Sequence, residues 1–249
     1  MGTPWDAEAY DRTSQPQQDW AADVLSRLAG IEPGAAVLDV GCGTGRVTEH
    51  LARMVPAGRV LAIDASQDMV ALARERLRGR AEVRCCDVLE LDLDGELDVV
   101  FSNATLHWVG DHERMWRVLA RALRPGGRLE AQCGGAGNIA GVREAIDAAA
   151  AEGAPALEGF SPWTFADPGE TERLMRAAGF SEVRCWLTER PTFPQDPESF
   201  VRTSILAAHL ERLPEREREP FVAAVMERVR LPLEYVRLNV SAVRGAGTG

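Results

Sequence analysis

Short apolar runs alternate with amphipathic helical patterns from residue 36 to residue 133. Such runs predict buried strands, and helical periodicity between them predicts helices. Strands that alternate with helices are typical of a parallel sheet covered by helices on both faces. We therefore predict an α/β, doubly wound, Rossmann-like fold. The predicted strands of this region are Ala36–Val40, Arg59–Ile63, Glu82–Cys86, Leu97–Phe101 and Arg128–Cys133.

The alternation stops after Cys133, where a glycine-rich bend, an alanine-rich helix over Ile139–Ala151 and an irregular stretch follow. Ligands of open α/β sheets bind at the carboxyl ends of the strands, and loops there often carry function. The later predicted elements are the helices Pro168–Ala178, Glu198–Leu210 and Glu215–Val229 and the strands Glu182–Thr188 and Leu233–Val240. We predict one domain over residues 1–249, with a core at about 30–133 and 166–190 plus the last strand at 233–240, and lid segments at about 1–20, 134–165 and 191–230.

The composition excludes several kinds of protein. A formal net charge of −10 argues against a protein that coats nucleic acid, because such binding needs clustered cations. No apolar run approaches the ~20 residues of a membrane-spanning helix, and the first residues lack the segments of a signal peptide. Five cysteines without CxxC spacing are typical of a reducing compartment. We expect a cytoplasmic protein, monomer or homodimer, that binds neither nucleic acid nor membrane.

Two further absences limit the chemistry. All 28 basic residues are arginine, so a Schiff-base lysine, a lysine general base and the phosphate-binding lysine of a P-loop are excluded. The four histidines and five cysteines have no metal-ligand spacing. We therefore expect no metal.

A glycine-rich turn follows the first predicted strand and reads D-x-G-x-G-x-G from Asp39 to Gly45. Its glycines, Gly41 and Gly43 among them, allow a sharp turn and close approach of backbone to a ligand. The dinucleotide pattern GxGxxG requires glycine or alanine where Arg46 stands, so that pattern fails. A carboxylate before the turn is unfavourable for a pyrophosphate and favourable for a cationic or ammonium-bearing ligand.

Two more acids stand at the ends of the next two predicted strands. Asp64 is placed to accept both hydroxyls of a ribose. Asp87 is placed to accept a hydrogen bond from an adenine amino group. Either acid alone is equally well explained as a helix cap. The combination of Asp39, the glycines, Asp64 and Asp87 at three successive strand ends indicates a nucleoside ligand that carries positive charge.

With these residues the sequence resembles the class I S-adenosylmethionine-dependent methyltransferases over roughly residues 5–190. The resemblance is strongest at Val37–Gly45, Ala62–Ser66, Cys86–Val88 and Leu123–Gly127. It implies a seven-stranded sheet whose last strand is antiparallel, and S-adenosylmethionine as cofactor, with S-adenosylhomocysteine as product. It also implies that Asp64 holds the ribose, Asp87 and Val88 the adenine, and Asp39, Gly41 and Gly43 the methionyl part. We add Tyr10, which would close over the cofactor, Ala65 and Asn103 to this set.

Two segments of the sequence indicate which residues would contact the methyl acceptor. The fourth strand runs into Leu106-His107-Trp108, and the N-terminal segment carries Tyr10 and Gln17. This pairing looks like trans-aconitate methyltransferases and juvenile-hormone-acid methyltransferases, both of which methylate carboxylates. In the second family, residues that match Gln17 and Trp108 touch the substrate carboxylate. We therefore predict a small-molecule methyltransferase, with carboxyl O-methylation as its reaction and His107, Trp108 and Gln17 as its acceptor-side residues.

Other functions stay open from the sequence. A phenol, amine or carbon nucleophile would need a general base, and His107 is the first candidate because its ordinary pKa lies near neutrality. Alternatively, Trp108 packs as lid core and Gln17 is a solvated residue. A nicotinamide-dependent oxidoreductase is disfavoured by Arg46 and Asp39. A non-catalytic protein that retains the cofactor pocket is the remaining alternative.

Overall fold

A computed structural model describes residues 15–246, with side chains from residue 20 onward. Its centre is a seven-stranded sheet in the order β3-β2-β1-β4-β5-β7-β6. Strand β7 runs antiparallel to both of its neighbours, and the other pairs are parallel. The predicted seven-stranded, mostly parallel sheet is thus confirmed. The strands are β1 Ala36–Val40, β2 Arg59–Asp64, β3 Glu82–Cys85, β4 Leu97–Asn103, β5 Leu123–Gly134, β6 Phe180–Glu189 and β7 Val236–Arg244.

Several helices begin at side chains that cap the free backbone amides of the first turn. Ser66 accepts from the amide of Met69, and Asp111 from the amide of Arg114. Such caps satisfy donors that have no partner within the helix. The helices are α1 Gln15–Arg27, α2 Arg46–Met54, α3 Gln67–Leu77, α4 His112–Ala122, α5 Ala140–Gly153, α6 Pro168–Ala177, α7 Pro197–Ser204, α8 Ala207–Arg212 and α9 Glu215–Met226, with short 3₁₀ turns at Val88–Glu90, Leu106–Trp108 and Pro155–Leu157.

Alternating residues of the strands pack on opposite faces of the sheet, as strand geometry requires. On one face Val37 and Phe101 contact the buried side chains of α1 and α2, such as Val24. On the other face Leu38 belongs to a larger cluster that includes α4 and α6. Both faces of the sheet are therefore covered around β1 and β4, the strands that carry the glycine turn and the Leu106–Trp108 turn.

A second hydrophobic cluster lies apart from the sheet. It joins α5, the segment after it and the helices α7–α9, and it includes Trp20 of α1 and Tyr235 just before β7. Trp20 and Tyr235 are in ring contact, with centroids 5.0 Å apart. Most residues of this cluster come from two of the predicted lid segments, 134–165 and 191–230, and these segments pack on each other.

Three of the differences from the predicted boundaries have a clear physical cause. Strand β7 begins at Val236 rather than Leu233, because Leu233 exchanges two backbone hydrogen bonds with Thr192 outside the sheet. The helix predicted over Glu198–Leu210 is two helices, because Ile205 leaves helical geometry at φ −121°. Strand β5 starts at Leu123 rather than Arg128, because Leu123 already pairs with Leu97 of β4.

Candidate active site

A cavity of about 350 Å³ opens at the carboxyl ends of β1, β2 and β4 and beside the turn after β3. This volume is within the usual range for small-molecule sites. The predicted cofactor residues Asp39, Gly41, Gly43, Asp64, Ala65, Asp87, Val88 and Asn103 all line it. Tyr10, the remaining predicted cofactor residue, lies outside the described residues.

The glycine turn is fixed between neighbouring strand ends. The amides of Gly41 and Cys42 both donate to the carbonyl of Ile63, at 2.8 and 3.0 Å. Gly41 has φ +72°, and a Cβ there would lie 2.1 Å from the side chain of Thr105. Gly43 has φ +52°, and a Cβ there would meet nothing within 4 Å. Gly41 is therefore required by packing, whereas Gly43 leaves open space beside the cavity.

Asp64 connects β2 to the glycine turn. Its Oδ2 accepts from the amide of Gly43 and its Oδ1 from the amide of Ser66, each at 2.9 Å. Burial raises the pKa of Asp64, and these two backbone hydrogen bonds oppose that rise. Each carboxylate oxygen has a further lone pair, so Asp64 can hold the turn and still accept hydroxyl groups of a ligand.

The other two acids occupy contrasting surroundings. Asp39 is buried, and Oγ1 of Thr48 donates to its Oδ2 at 2.7 Å. Burial raises the pKa of Asp39 to about 7, and the hydrogen bond from Thr48 limits the rise. Asp87 is exposed and accepts from the amide of Leu89 at 2.9 Å. It therefore serves as a cap of the following turn and as part of the cavity wall.

His107 and Trp108 point to different places. Trp108 lines the cavity, whereas His107 is buried behind it and stacks on Phe165 with ring centroids 5.6 Å apart. The amide of Gly134 donates to Nδ1 of His107 at 3.3 Å. Burial, together with the charge of Arg237, holds the pKa of His107 well below its ordinary value. The ring is therefore neutral, with Nδ1 accepting and the proton on Nε2.

Gln17 lies in the first turn of α1, and its side chain is outside the described residues. The structure thus brings Trp108 to the cavity with the predicted cofactor residues and separates His107 from them.

Sequence reasoning missed Arg76 and Pro162, which shape the site. Arg76 of α3 donates to the carbonyl and the hydroxyl of Thr44, both at 2.6 Å, and so fixes the turn from behind. Pro162 lines the cavity. Trp163 stands 5.8 Å from the ring of Trp108. In the sequence Arg76 cannot be told apart from the many other arginines. The apolar and aromatic content of 160–165, in contrast, indicates a pocket wall.

Two absences hold for residues 15–246. No group of three or more His, Cys, Asp or Glu side chains there could hold a metal ion. No helix in that range is long and apolar enough to cross a membrane.

Comparisons with known proteins identify the family. A family model described as a methyltransferase domain matches residues 37–127. A trans-aconitate 2-methyltransferase from Methylobacterium nodulans is 33% identical over 184 residues, which cover 74% of this chain and 67% of that protein. An uncharacterised methyltransferase from Schizosaccharomyces pombe is 33% identical, and the match covers 76% of this chain and 75% of that protein. The chain therefore belongs to the class I S-adenosylmethionine-dependent methyltransferases, in the group that contains the trans-aconitate 2-methyltransferases.

Other relatives match over shorter stretches. The trans-aconitate 2-methyltransferase of Rhodopseudomonas palustris is 38% identical over 128 residues, and the match spans 51% of this chain and 49% of that enzyme, about half its length. Phosphoethanolamine N-methyltransferase 2 of Haemonchus contortus, solved with S-adenosylmethionine, superposes with a TM-score of 0.65 at 17% identity, covering 96% of this chain and 57% of that one. The YcgJ protein of Bacillus subtilis superposes with a TM-score of 0.62 at 15% sequence identity, and the match covers 92% of this chain and 100% of that one. These structures show the same fold.

The methyl donor of this family, S-adenosylmethionine, suits the cavity. The donor carries a sulfonium, an ammonium, a ribose diol and an adenine amino group. Three carboxylates line the cavity at successive strand ends, and Gly43 leaves room for close approach. Carboxylates pair with cations and accept from hydroxyl and amino groups. The predicted cofactor and enzyme class are thus confirmed by the family.

Proposed function

We propose that this methyltransferase transfers its methyl group to a carboxylate oxygen of a small organic acid. The observation that carries the proposal is the state of His107, which is neutral, buried and bonded through Nδ1 to the amide of Gly134. A carboxylate is ionised at neutral pH and needs no general base, so such a site suits an acid. The trans-aconitate 2-methyltransferases among the relatives support the same reaction.

We assign the donor end to the acids and the glycine turn. Asp64 would hold the ribose hydroxyls, Asp87 and Val88 the adenine, and Asp39 with Gly41 and Gly43 the methionyl part. When bound, the cofactor supplies a methyl group that its sulfonium already activates for displacement. The protein would then contribute position and exclusion of water.

We assign the acceptor end to the mouth of the cavity. Trp108 lines it, and Val109, Gly110 and Pro162 continue the wall. Trp108 and Gln17 would orient the acceptor carboxylate. The aromatic contact between Trp108 and Trp163 gives this wall an apolar surface, which would exclude water around the reacting oxygen.

The alternative with His107 as general base is less well supported. For His107 to take a proton from an acceptor, its ring would have to leave the amide of Gly134 and its contact with Phe165. It would also have to gain a proton in surroundings that lower its pKa. A phenol, amine or carbon nucleophile therefore remains the second candidate.

A methyl-donor assay tests the proposal. The enzyme and S-adenosylmethionine are incubated with a panel of carboxylic acids, phenols and amines, and a gain of one methyl group is detected by mass spectrometry. We expect products among the acids, trans-aconitate included, and their hydrolysis by mild alkali, as esters require. Products confined to phenols or amines, stable to alkali, would refute carboxyl methylation and leave the enzyme class unchanged.

A further inference from the structure

Two turns line the cavity from neighbouring strands. The glycine turn follows β1, and the Leu106–Trp108 turn follows β4, which is parallel to β1 and next to it in the sheet. The first turn belongs to the donor end of the site and the second carries Trp108. Methyl transfer requires donor and acceptor at a fixed distance and direction. The contact between these two turns therefore matters for the reaction.

The chain bends sharply where β4 ends. Ala104 has φ +58°, in the left-handed region that is unfavourable for a residue with a Cβ. Its amide donates to the carbonyl of Gln132 on β5 at 2.7 Å, which holds the bend. Residues kept in such conformations by their surroundings cluster at functional sites. Among residues 15–246 the other non-glycine residues with positive φ are Arg78, Ile139 and Glu182, whereas Ala104 lines the cavity.

Thr105 closes this bend and also lines the cavity. Its Oγ1 lies 3.2 Å from the carbonyl oxygen of Gly41 and 3.1 Å from that of Asn103, so the single hydroxyl proton is shared between them. The carbonyl of Thr105 accepts from the amide of Trp108 at 2.9 Å. One residue thus contacts the glycine turn through its side chain and begins the turn of Trp108 through its backbone.

The glycine turn has anchors of its own on β2. The amides of Gly41 and Cys42 donate to the carbonyl of Ile63, as described above. Loss of the Thr105 hydroxyl would leave these bonds in place, so the donor residues would keep their arrangement. The turn that carries Trp108 would lose its hydroxyl link to the glycine turn.

We propose that Thr105 is a positioning residue for methyl transfer. Its hydroxyl fixes the Leu106–Trp108 turn against the glycine turn, and so sets the distance between the methyl donor and the nucleophile that accepts the methyl group. A displacement of about 1 Å is enough to slow such a step about 100-fold. This inference goes beyond the proposed function, because it applies to any acceptor and does not require a carboxylate.

Ser102 provides a matched control. It is buried on β4, and its Oγ donates to the carbonyl of Val40 at the end of β1 at 2.9 Å. Both hydroxyls thus join the end of β4 to a carbonyl at the end of β1. Ser102 lies before the bend, however, and it is paired with Val40 in the strand ladder, which holds the two residues without the hydroxyl.

The experiment compares hydrogen exchange in the full chain with and without saturating S-adenosylhomocysteine. The proteins are wild type, Thr105→Val, Thr105→Ser and Ser102→Ala. We expect binding to slow exchange over residues 41–46 in all four. Over residues 106–110 it should slow exchange at least fivefold in wild type, Thr105→Ser and Ser102→Ala, and less than twofold in Thr105→Val. Calorimetry should give affinities for S-adenosylhomocysteine within about threefold of wild type.

Turnover gives a second measurement with any acceptor that wild type methylates. In Thr105→Val, kcat should fall at least tenfold while KM for S-adenosylmethionine stays within about threefold. Thr105→Ser restores the hydroxyl and should keep kcat within about threefold, as should Ser102→Ala. A merely structural role would lower the stability of Thr105→Val without this division between kcat and KM.

Several results would overturn the proposal. They are equal slowing over 106–110 in wild type and Thr105→Val, no slowing there in wild type, or a loss of donor affinity in Thr105→Val as large as its loss of kcat. Should Thr105→Val fail to fold, Thr105→Ser decides: a wild-type response supports the role of the hydroxyl, and a lost response overturns it. Methylation confined to phenols or amines refutes the proposed function and leaves this inference standing.

Discussion

Oγ1 of Thr48 lies 2.7 Å from Oδ2 of Asp39, and neither side chain is open to solvent. The first turn of α2 thereby holds the carboxylate at the end of β1. Because this hydrogen bond lowers the pKa of Asp39 against the effect of burial, we predict that Thr48→Val raises that pKa above about 7. Cofactor binding should weaken about fivefold at pH 7.5, as loss of one hydrogen bond to a charged group implies.

Calorimetric titration with S-adenosylhomocysteine between pH 6 and pH 9 checks this prediction. The difference between wild type and Thr48→Val should shrink as the pH rises past both pKa values. Thr171→Val is the control, because Thr171 is also buried and donates to a backbone carbonyl in α6, away from the cavity. A pH-independent difference would mean that Thr48 acts through packing alone.

Asp39 should also make the free energy of unfolding depend on pH. Its folded pKa of about 7 exceeds the ordinary aspartate pKa of 3.8, so the folded protein binds the extra proton between these values. Stability should therefore fall as the pH rises from about 4 to about 7, by up to about 4 kcal/mol. Asp39→Asn removes this dependence. Urea unfolding of both proteins at pH 5 and pH 8 measures it, and an equal pH response in the two would contradict the assignment.

Gly41 should tolerate no side chain. Its φ is +72°, and a Cβ would stand 2.1 Å from Thr105, so Gly41→Ala should abolish cofactor binding and destabilise the fold by about 3 kcal/mol or more. Gly95→Ala is the control, because Gly95 has φ +64° with nothing within 4 Å of a Cβ. It should cost only about 1 kcal/mol and leave the affinity unchanged. Thermal unfolding and calorimetry report the two quantities.

The pH profile of turnover distinguishes a carboxylate acceptor from one that needs a base. For an acid we expect kcat to be flat from about pH 6 to pH 9. His107→Asn should keep kcat within about threefold, since its amide oxygen can accept from Gly134, while losing about 1–3 kcal/mol of stability with the stacking on Phe165. Trp108→Phe should raise KM instead. Two results together would indicate general-base catalysis instead: a kcat that rises with pH around the ordinary pKa of histidine, and a ~100-fold lower kcat in His107→Asn.

Residues 138–165 should respond to ligands. Pro162 lines the cavity, and the amide of Thr164 donates to the carbonyl of His107 at 2.8 Å, which ties this segment to the site. Hydrogen exchange over 138–165 should slow when S-adenosylhomocysteine and an acceptor bind, as for a lid that closes over a site. Helix α6 is the internal reference and should not change. Equal exchange rates with and without ligands would show that the segment does not close over the site.

The positions of the acids at the strand ends could be predicted from sequence because these residues follow local rules. A carboxylate at a strand end and a glycine in a tight turn are visible in the order of residues, and Asp39, Asp64 and Asp87 all line the cavity. The helix starts at Ser66 and Asp111 are equally local, because in each the side chain accepts from a backbone amide three residues further along. For such features the order of residues along the chain is enough to predict the local geometry.

Other features of the structure depend on contacts between distant parts of the chain. An arginine that alternates with apolar residues on a strand is normally expected to face solvent, yet Arg237 is buried against Trp20. The two ends of that contact lie on α1 and β7. The division between His107 and Trp108 is likewise decided by the amide of Gly134 and by Phe165, which no local pattern links to them.

The antiparallel course of β7 has a consequence for how this enzyme can change. The lining of the cavity comes from residues between 39 and 110, with Pro162 added, and the family match at 37–127 spans that stretch. Strand β7 enters the sheet from its opposite side, and neither this strand nor α1 contributes a residue to that lining among the described residues. Changes in these outer elements can therefore accumulate without altering the residues that line the cavity. The middle of the chain shows the family and its methyl donor. The segments outside it must be examined separately to learn which molecule accepts the methyl group.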